Sequence, residues 1–124
     1  MDSKFYVSSY AARLLKERGY RQTCHAYYFG NSNLRKGGYR GDSWYDSPDF
    51  YPAPTKAEAI DWLESKGMRI NIIYDWLECR WYFTIINGSP TVKNITELEV
   101  SDSGFYKTRL EAEEAAIIKA LELL

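Results

Sequence analysis

Two segments, "MRINIIYD" (68–75) and "CRWYFTII" (79–86), constrain the fold of this chain more than any other feature. The first alternates: Met68, Ile70, Ile72 and Tyr74 share one face, and Arg69, Asn71 and Asp75 the other. A period of two marks a half-buried strand. The second is rich in aromatic and β-branched residues, and the "YDWLEC" connection is short enough for an antiparallel hairpin. "NGSP" then turns the chain again, and a third strand is expected within 91–101, with Val92, Ile95, Leu98 and Val100 as its apolar members.

Helices bracket these strands. Thr55 is followed three positions on by Glu58, the spacing at which the two residues satisfy each other's orphan amides. Ala59, Ile60 and Leu63 then form an apolar stripe with Trp62 beside it, and Gly67 ends the helix. Thr108 and Glu111 repeat the spacing before a closing helix. Its buried stripe is Leu110, Ile117, Leu121 and Leu124, while Ala112, Ala115, Ala116 and Ala120 allow close approach to a sheet. Nearer the N-terminus, "SSYAARLLKER" (8–18) reads as a helix with Ser8 or Ser9 as its cap and Gly19 as its exit. "TCHAYYF" (23–29) reads as a strand.

No helical period runs from Gly30 to Pro54. A structureless loop of that length is improbable in a small domain. The reading is a hairpin with "GNSNLRKGG" as its turn and part of 39–45 as the returning strand. The expected architecture is one α+β domain over 1–124: an antiparallel sheet of four to five strands with three helices packed mainly on one face.

At 124 residues such a domain buries a core without staples. Sixteen basic against seventeen acidic side chains argue against broad electrostatic capture of nucleic acid. No apolar run approaches the roughly 18 residues of a membrane span. The opening "MDSKFYVSSYAARLL" lacks a signal-peptide apolar segment, so a cytoplasmic address is expected. In that reducing compartment Cys24 and Cys79 read as reduced and buried.

Few chemistries fit. Cys24 and His25 are neighbours, but on a strand their side chains diverge. Two cysteines and one histidine in distant segments lack the paired spacing of a zinc site. Asp61 with Glu64, and Asp75 with Glu78, read as solvated helix and turn acids. Neither the phosphate-loop pattern nor the dinucleotide glycine pattern occurs. No catalytic residue, metal or cofactor is expected.

The stretch with most to offer is "YRGDSWYDSPDFYPAPT" (39–55). Aromatic side chains in a glycine- and proline-rich loop supply rigid contact area, so Tyr39, Trp44, Tyr45, Phe50 and Tyr51 are the candidate contacts for a protein partner. The alternative is architectural: Trp44, Phe50 and Tyr51 fold over the sheet as a satellite core, with Pro48, Pro52 and Pro54 stiffening the path. A rival surface, Arg35, Lys36 and Arg40 around Tyr39 joined by Lys107 and Arg109, fits weak nucleic-acid binding by stacking and charge. Its opponents are Asp42, Asp46 and Asp49. The chain is expected to be a monomer or a weak dimer.

Residues 55–124, in the order helix, strand, strand, strand, helix, resemble the double-stranded-RNA-binding domain. That resemblance extends to the alanine pattern of "EAEEAAIIKALELL". It implies two helices on one face of a three-stranded sheet and a basic cluster at the start of the last helix. Lys107 and Arg109 match that cluster, whereas Leu110, Glu111, Glu113 and Glu114 depart from it. Over the longer span, "APTKAEAIDWL", "RINI" and "YKTRLEAEEAAIIKALEL" look like a group of small proteins of gut bacteria and their phages, to which no activity is assigned. That likeness implies a self-contained accessory protein of intracellular origin. The aromatic density of the loop, in turn, leads to the expectation of a non-enzymatic interaction module of a phage or mobile element.

Overall fold

The computed structural model describes residues 3–22, 25–30, 33–37, 47–87, 98–101 and 106–124. Local signals start and stop the helices. Ser8 accepts the Ala11 N–H at 3.2 Å and opens α1 (Ser9–Glu17). Gly19, at φ 88°, lets the Tyr20 N–H return to the Leu15 carbonyl at 2.9 Å. Thr55 and Glu58 form the expected reciprocal cap, Glu58 N–H to Thr55 at 3.2 Å and Thr55 N–H to Glu58 at 2.9 Å, ahead of α2 (Lys56–Ser65). Thr108 accepts the Glu111 N–H at 3.1 Å and opens α3 (Arg109–Leu123).

The strands are β1 (Ala26–Phe29), β2 (Arg35–Lys36), β3 (Phe50–Pro52), β4 (Met68–Asp75), β5 (Arg80–Asn87) and β6 (Leu98–Ser101). All pairings are antiparallel, and the class is α+β, as expected. The strands divide between two three-stranded sheets, β2-β1-β3 and β4-β5-β6, instead of joining one. Pro52 ends β3, and Pro54 comes just after it. Neither has an amide to donate, and the chain passes from β3 through Thr55, the cap of α2, into that helix before β4 begins. β2 falls inside the stretch read as a turn, where Lys36 pairs with Ala26 and Arg35 with Tyr27. The expected returning strand at 39–45, together with Cys24, Val92 and Ile95, lies outside the described residues.

Helices are shared between the sheets, not confined to one face of a single sheet. α1 covers β1 and β3, α2 covers β4, and α3 lies on β4 and β5 while touching both other helices. A continuous core follows, with Leu15, Ala26, Leu63, Phe83, Ile85, Ile117 and Leu121 all buried within it. In order, α2, β4, β5, β6 and α3 reproduce the anticipated helix, three strands and helix.

The N-terminal segment is bound by polar contacts to distant parts of the chain. Val7 N–H donates to the Pro54 carbonyl at 3.1 Å, and the Tyr28 hydroxyl donates to the Val7 carbonyl at 2.9 Å. Glu114, on α3, accepts the Ser8 N–H at 3.0 Å and the Ser8 hydroxyl at 2.7 Å. Burial, and secondarily the Glu114 charge, raise the Tyr28 pKa above its ordinary value, so the phenol stays protonated as a donor.

Three burial expectations change. Tyr74 shares the apolar face of β4 but sits at its far end and is exposed. Leu124, beyond the last turn of α3, is exposed as well. Cys79 is an exposed free thiol, because it belongs to the turn of the β4–β5 hairpin and not to the strand.

Candidate functional site

The hairpin between β4 and β5 is locked from within. Asp75 Oδ1 accepts the N–H groups of Leu77 at 3.1 Å and Glu78 at 3.3 Å, an Asx-type turn that fixes the first half. Glu78 and Arg80 close the second half with an ion pair at 2.9 Å. Beneath the turn the Tyr74 and Trp81 rings meet at 5.0 Å. Trp81 is anchored by two 2.8 Å backbone bonds with Tyr106, and the Arg109 guanidinium lies 5.7 Å above its ring. A hydrogen bond with the Cys79 thiol, ahead of burial and the neighbouring Cys79 and Asp75 charges, raises the Tyr74 pKa.

This turn lifts two large apolar side chains away from the protein. Trp76 is 73% exposed and Leu77 75% exposed, side by side at the tip. Single exposed apolar residues are ordinary on a protein surface. A tryptophan and a leucine together on a braced four-residue turn form a projecting apolar contact. In sequence, "YDWLEC" reads as a hairpin connection flanked by the turn acids Asp75 and Glu78. Its available signal was the pair of bulky apolar residues inside a turn too short to fold them back.

Cys79 holds φ at 53°, the left-handed region that side chains other than glycine enter at a cost. Cys79→Gly is expected to raise stability by about 0.5 kcal/mol. Relief of about 1–2 kcal/mol of backbone strain outweighs roughly 1 kcal/mol of added unfolded-state entropy. The urea midpoint of the variant checks the sign.

Of the aromatic loop, Tyr39, Trp44 and Tyr45 lie outside the described residues, as does Arg40. Phe50 is 3% exposed and stacks on Tyr27 at 5.6 Å. It lies on the face of β3 opposite Tyr51 and Tyr28, apart from the main core, yet it is covered within the chain and is not the exposed contact expected for it. Tyr51, on the other face of β3, is half-buried beneath Arg13 at 4.8 Å and Lys16 at 5.1 Å. Lys16 also donates to the carbonyls of Phe50, at 2.8 Å, and Ser47. Those cations, with Glu17 and Pro48, line a shallow groove of about 430 Å³.

The basic candidates fall into two pairs on different elements. Arg35 and Lys36 form β2, with the Lys36 ammonium 5.7 Å from the Tyr6 ring. Lys107 and Arg109 stand at the start of α3, where Arg109 also pairs with the buried Glu113 at 3.3 Å. A second open groove, of about 500 Å³, is lined by Tyr20, Gln22, Glu58, Asp61, Trp62 and Ser65. Glu58 is committed there to the α2 cap, and both rings are buried. His25 is exposed just before β1. Among the described residues no group of three or more His, Cys, Asp or Glu is placed to hold a metal ion, and no helix is long and apolar enough to cross a membrane. No protein-family model, curated protein or solved structure matches the chain.

Proposed function

We propose that the chain is a non-enzymatic protein-interaction module whose contact element is the β4–β5 hairpin tip. The observation that carries this reading is the paired exposure of Trp76 and Leu77 on a turn braced by Asp75 and by the Glu78–Arg80 ion pair. Tryptophan is among the residues most enriched where binding energy concentrates. A turn already fixed by its own hydrogen bonds loses little conformational freedom on docking. Tyr51 and the rings of the 39–45 stretch supply further contact area in this reading. Arg109 is drawn toward Glu113 and Trp81, which favours a protein partner over the phosphate contacts of the nucleic-acid alternative.

The test is a display selection of peptides against the full chain. Ligands so obtained are expected to lose about 2 kcal/mol, roughly thirtyfold in affinity, against Trp76→Ala. Tyr10→Ala, at an exposed ring on α1, is expected to change affinity less than about threefold. Ligands indifferent to Trp76 would overturn the assignment. A nucleic-acid role would show instead as duplex or single-strand binding that weakens steeply with salt and is lost in Arg35→Ala.

A further inference from the structure

We infer that two copies of this chain join edge to edge through β4, antiparallel about a two-fold axis at Ile72, forming one six-stranded sheet. Among the described residues β4 is the edge of its sheet, and no other segment is hydrogen-bonded to its outer side. Its eight residues pair one-to-one with β5, so the strand carries no bulge. Natural edges are blunted by shortness, proline, bulges or inward charges. Two other edges follow that rule: β2 has two residues, and β3 three with Pro52 among them. β4 is long and regular, and it contains neither proline nor lysine.

Burial points to the same edge. On the helix-covered face Phe83 and Ile85 of β5 are fully buried, while Ile70 and Ile72 of β4 remain only half-buried. The edge residues therefore have apolar surface that their own chain does not cover.

Charge selects both the partner and the register. In an antiparallel pair only alternate residues aim their amides outward, so a strand meeting its own copy can slide in steps of two residues. With Ile72 on the axis, Arg69 of each copy stands opposite Asp75 of the other, and Ile70 opposite Tyr74. One step either way leaves Arg69 opposite Ile73 or Leu77. The self-complementary register is the isologous kind that closes as a dimer. Arg69 is largely exposed and only loosely engaged, 4.0 Å from Glu64, whose side chain is also more exposed than buried, so it is available to turn outward. This contact is separate from the hairpin tip, since the two tips of such a dimer point to opposite ends of the joined sheet.

Sedimentation equilibrium of the full chain under reducing conditions tests the inference. Wild type is expected to dimerise, and Arg69→Asp and Asp75→Arg each to weaken the dimer at least about tenfold, by turning two attractive cross-strand pairs into repulsive ones. An equimolar mixture of the two variants restores opposite charges at both positions and is expected to regain the wild-type affinity. If Asp75→Arg disturbs the turn, as circular dichroism would show, Asp75→Asn keeps the turn acceptor and is expected to weaken the dimer about threefold. Concentration-dependent exchange protection of alternate β4 amides is the second readout. A chain that stays monomeric up to about 1 mM, or an Arg69→Asp variant that dimerises as tightly as wild type, overturns the inference.

Discussion

Phe83→Ala is expected to lower the unfolding free energy by about 4 kcal/mol. The ring is 1% exposed in the middle of β5, opposite Ile72 on β4 and 6.3 Å from the Tyr106 ring, with α3 lying across the same two strands. The neighbours that line the void are held by a strand ladder and a helix, so they move little to fill it. The cost then approaches the full transfer term plus the cavity term. Domains of this size have roughly 5–15 kcal/mol in total, so the variant keeps a reduced margin. Urea denaturation checks it, with Phe83→Leu as the control at roughly 1.5 kcal/mol or less. A loss below about 1.5 kcal/mol for the alanine variant would show that the ring is not central to the packing.

Glu114→Ala is expected to cost about 3 kcal/mol, large for a helix-surface residue with intermediate exposure. The carboxylate takes hydrogen bonds from both the Ser8 N–H and the Ser8 hydroxyl, and that hydroxyl accepts the Ala11 N–H. It therefore places a negative charge at the positive end of α1, where charge-assisted bonds and the helix dipole act together. Removing it leaves Ser8 with donors pointed at nothing. Thermal unfolding is the measurement, and Glu114→Gln, which keeps one acceptor, is expected to recover about half of the loss. An alanine variant as stable as wild type would mean that water replaces the carboxylate without cost.

Local signals made part of this structure readable from sequence. The three-residue spacing of Thr55 with Glu58, and of Thr108 with Glu111, marks two helix starts through bonds formed within one turn. The alternation in 68–75 and the short connection after it define a hairpin whose register is then confined to neighbours. Ser8 and Gly19 bound α1 in the same local way.

What alternation reports is the face of a side chain, not whether anything covers that face. Tyr74 and Ile72 share a face of β4, yet Tyr74 lies exposed near the turn, and the period carries no trace of that difference. Division into two sheets depends on β1 finding both β2 and β3, pairings set by contacts distant in sequence. Aromatic density around 39–55 signals importance without separating surface from interior, and Phe50 proves buried although it lies on the face of β3 away from the main core. At the hairpin, the length of the connection gives the turn, while its content gives the exposed side chains. The exposure of Trp76 and Leu77 follows from the size of the turn, which is too short to fold either side chain back onto the sheet.

The position of α3 has a consequence for synthesis. Residues 109–123 emerge from the ribosome after every segment they hold together, among them the α1 start that Glu114 caps and the β4 and β5 faces they cover. Until that last helix arrives, the nascent chain carries an open apolar sheet face and a nine-residue helix too short to persist by itself. Translation thus completes the parts well before the clasp.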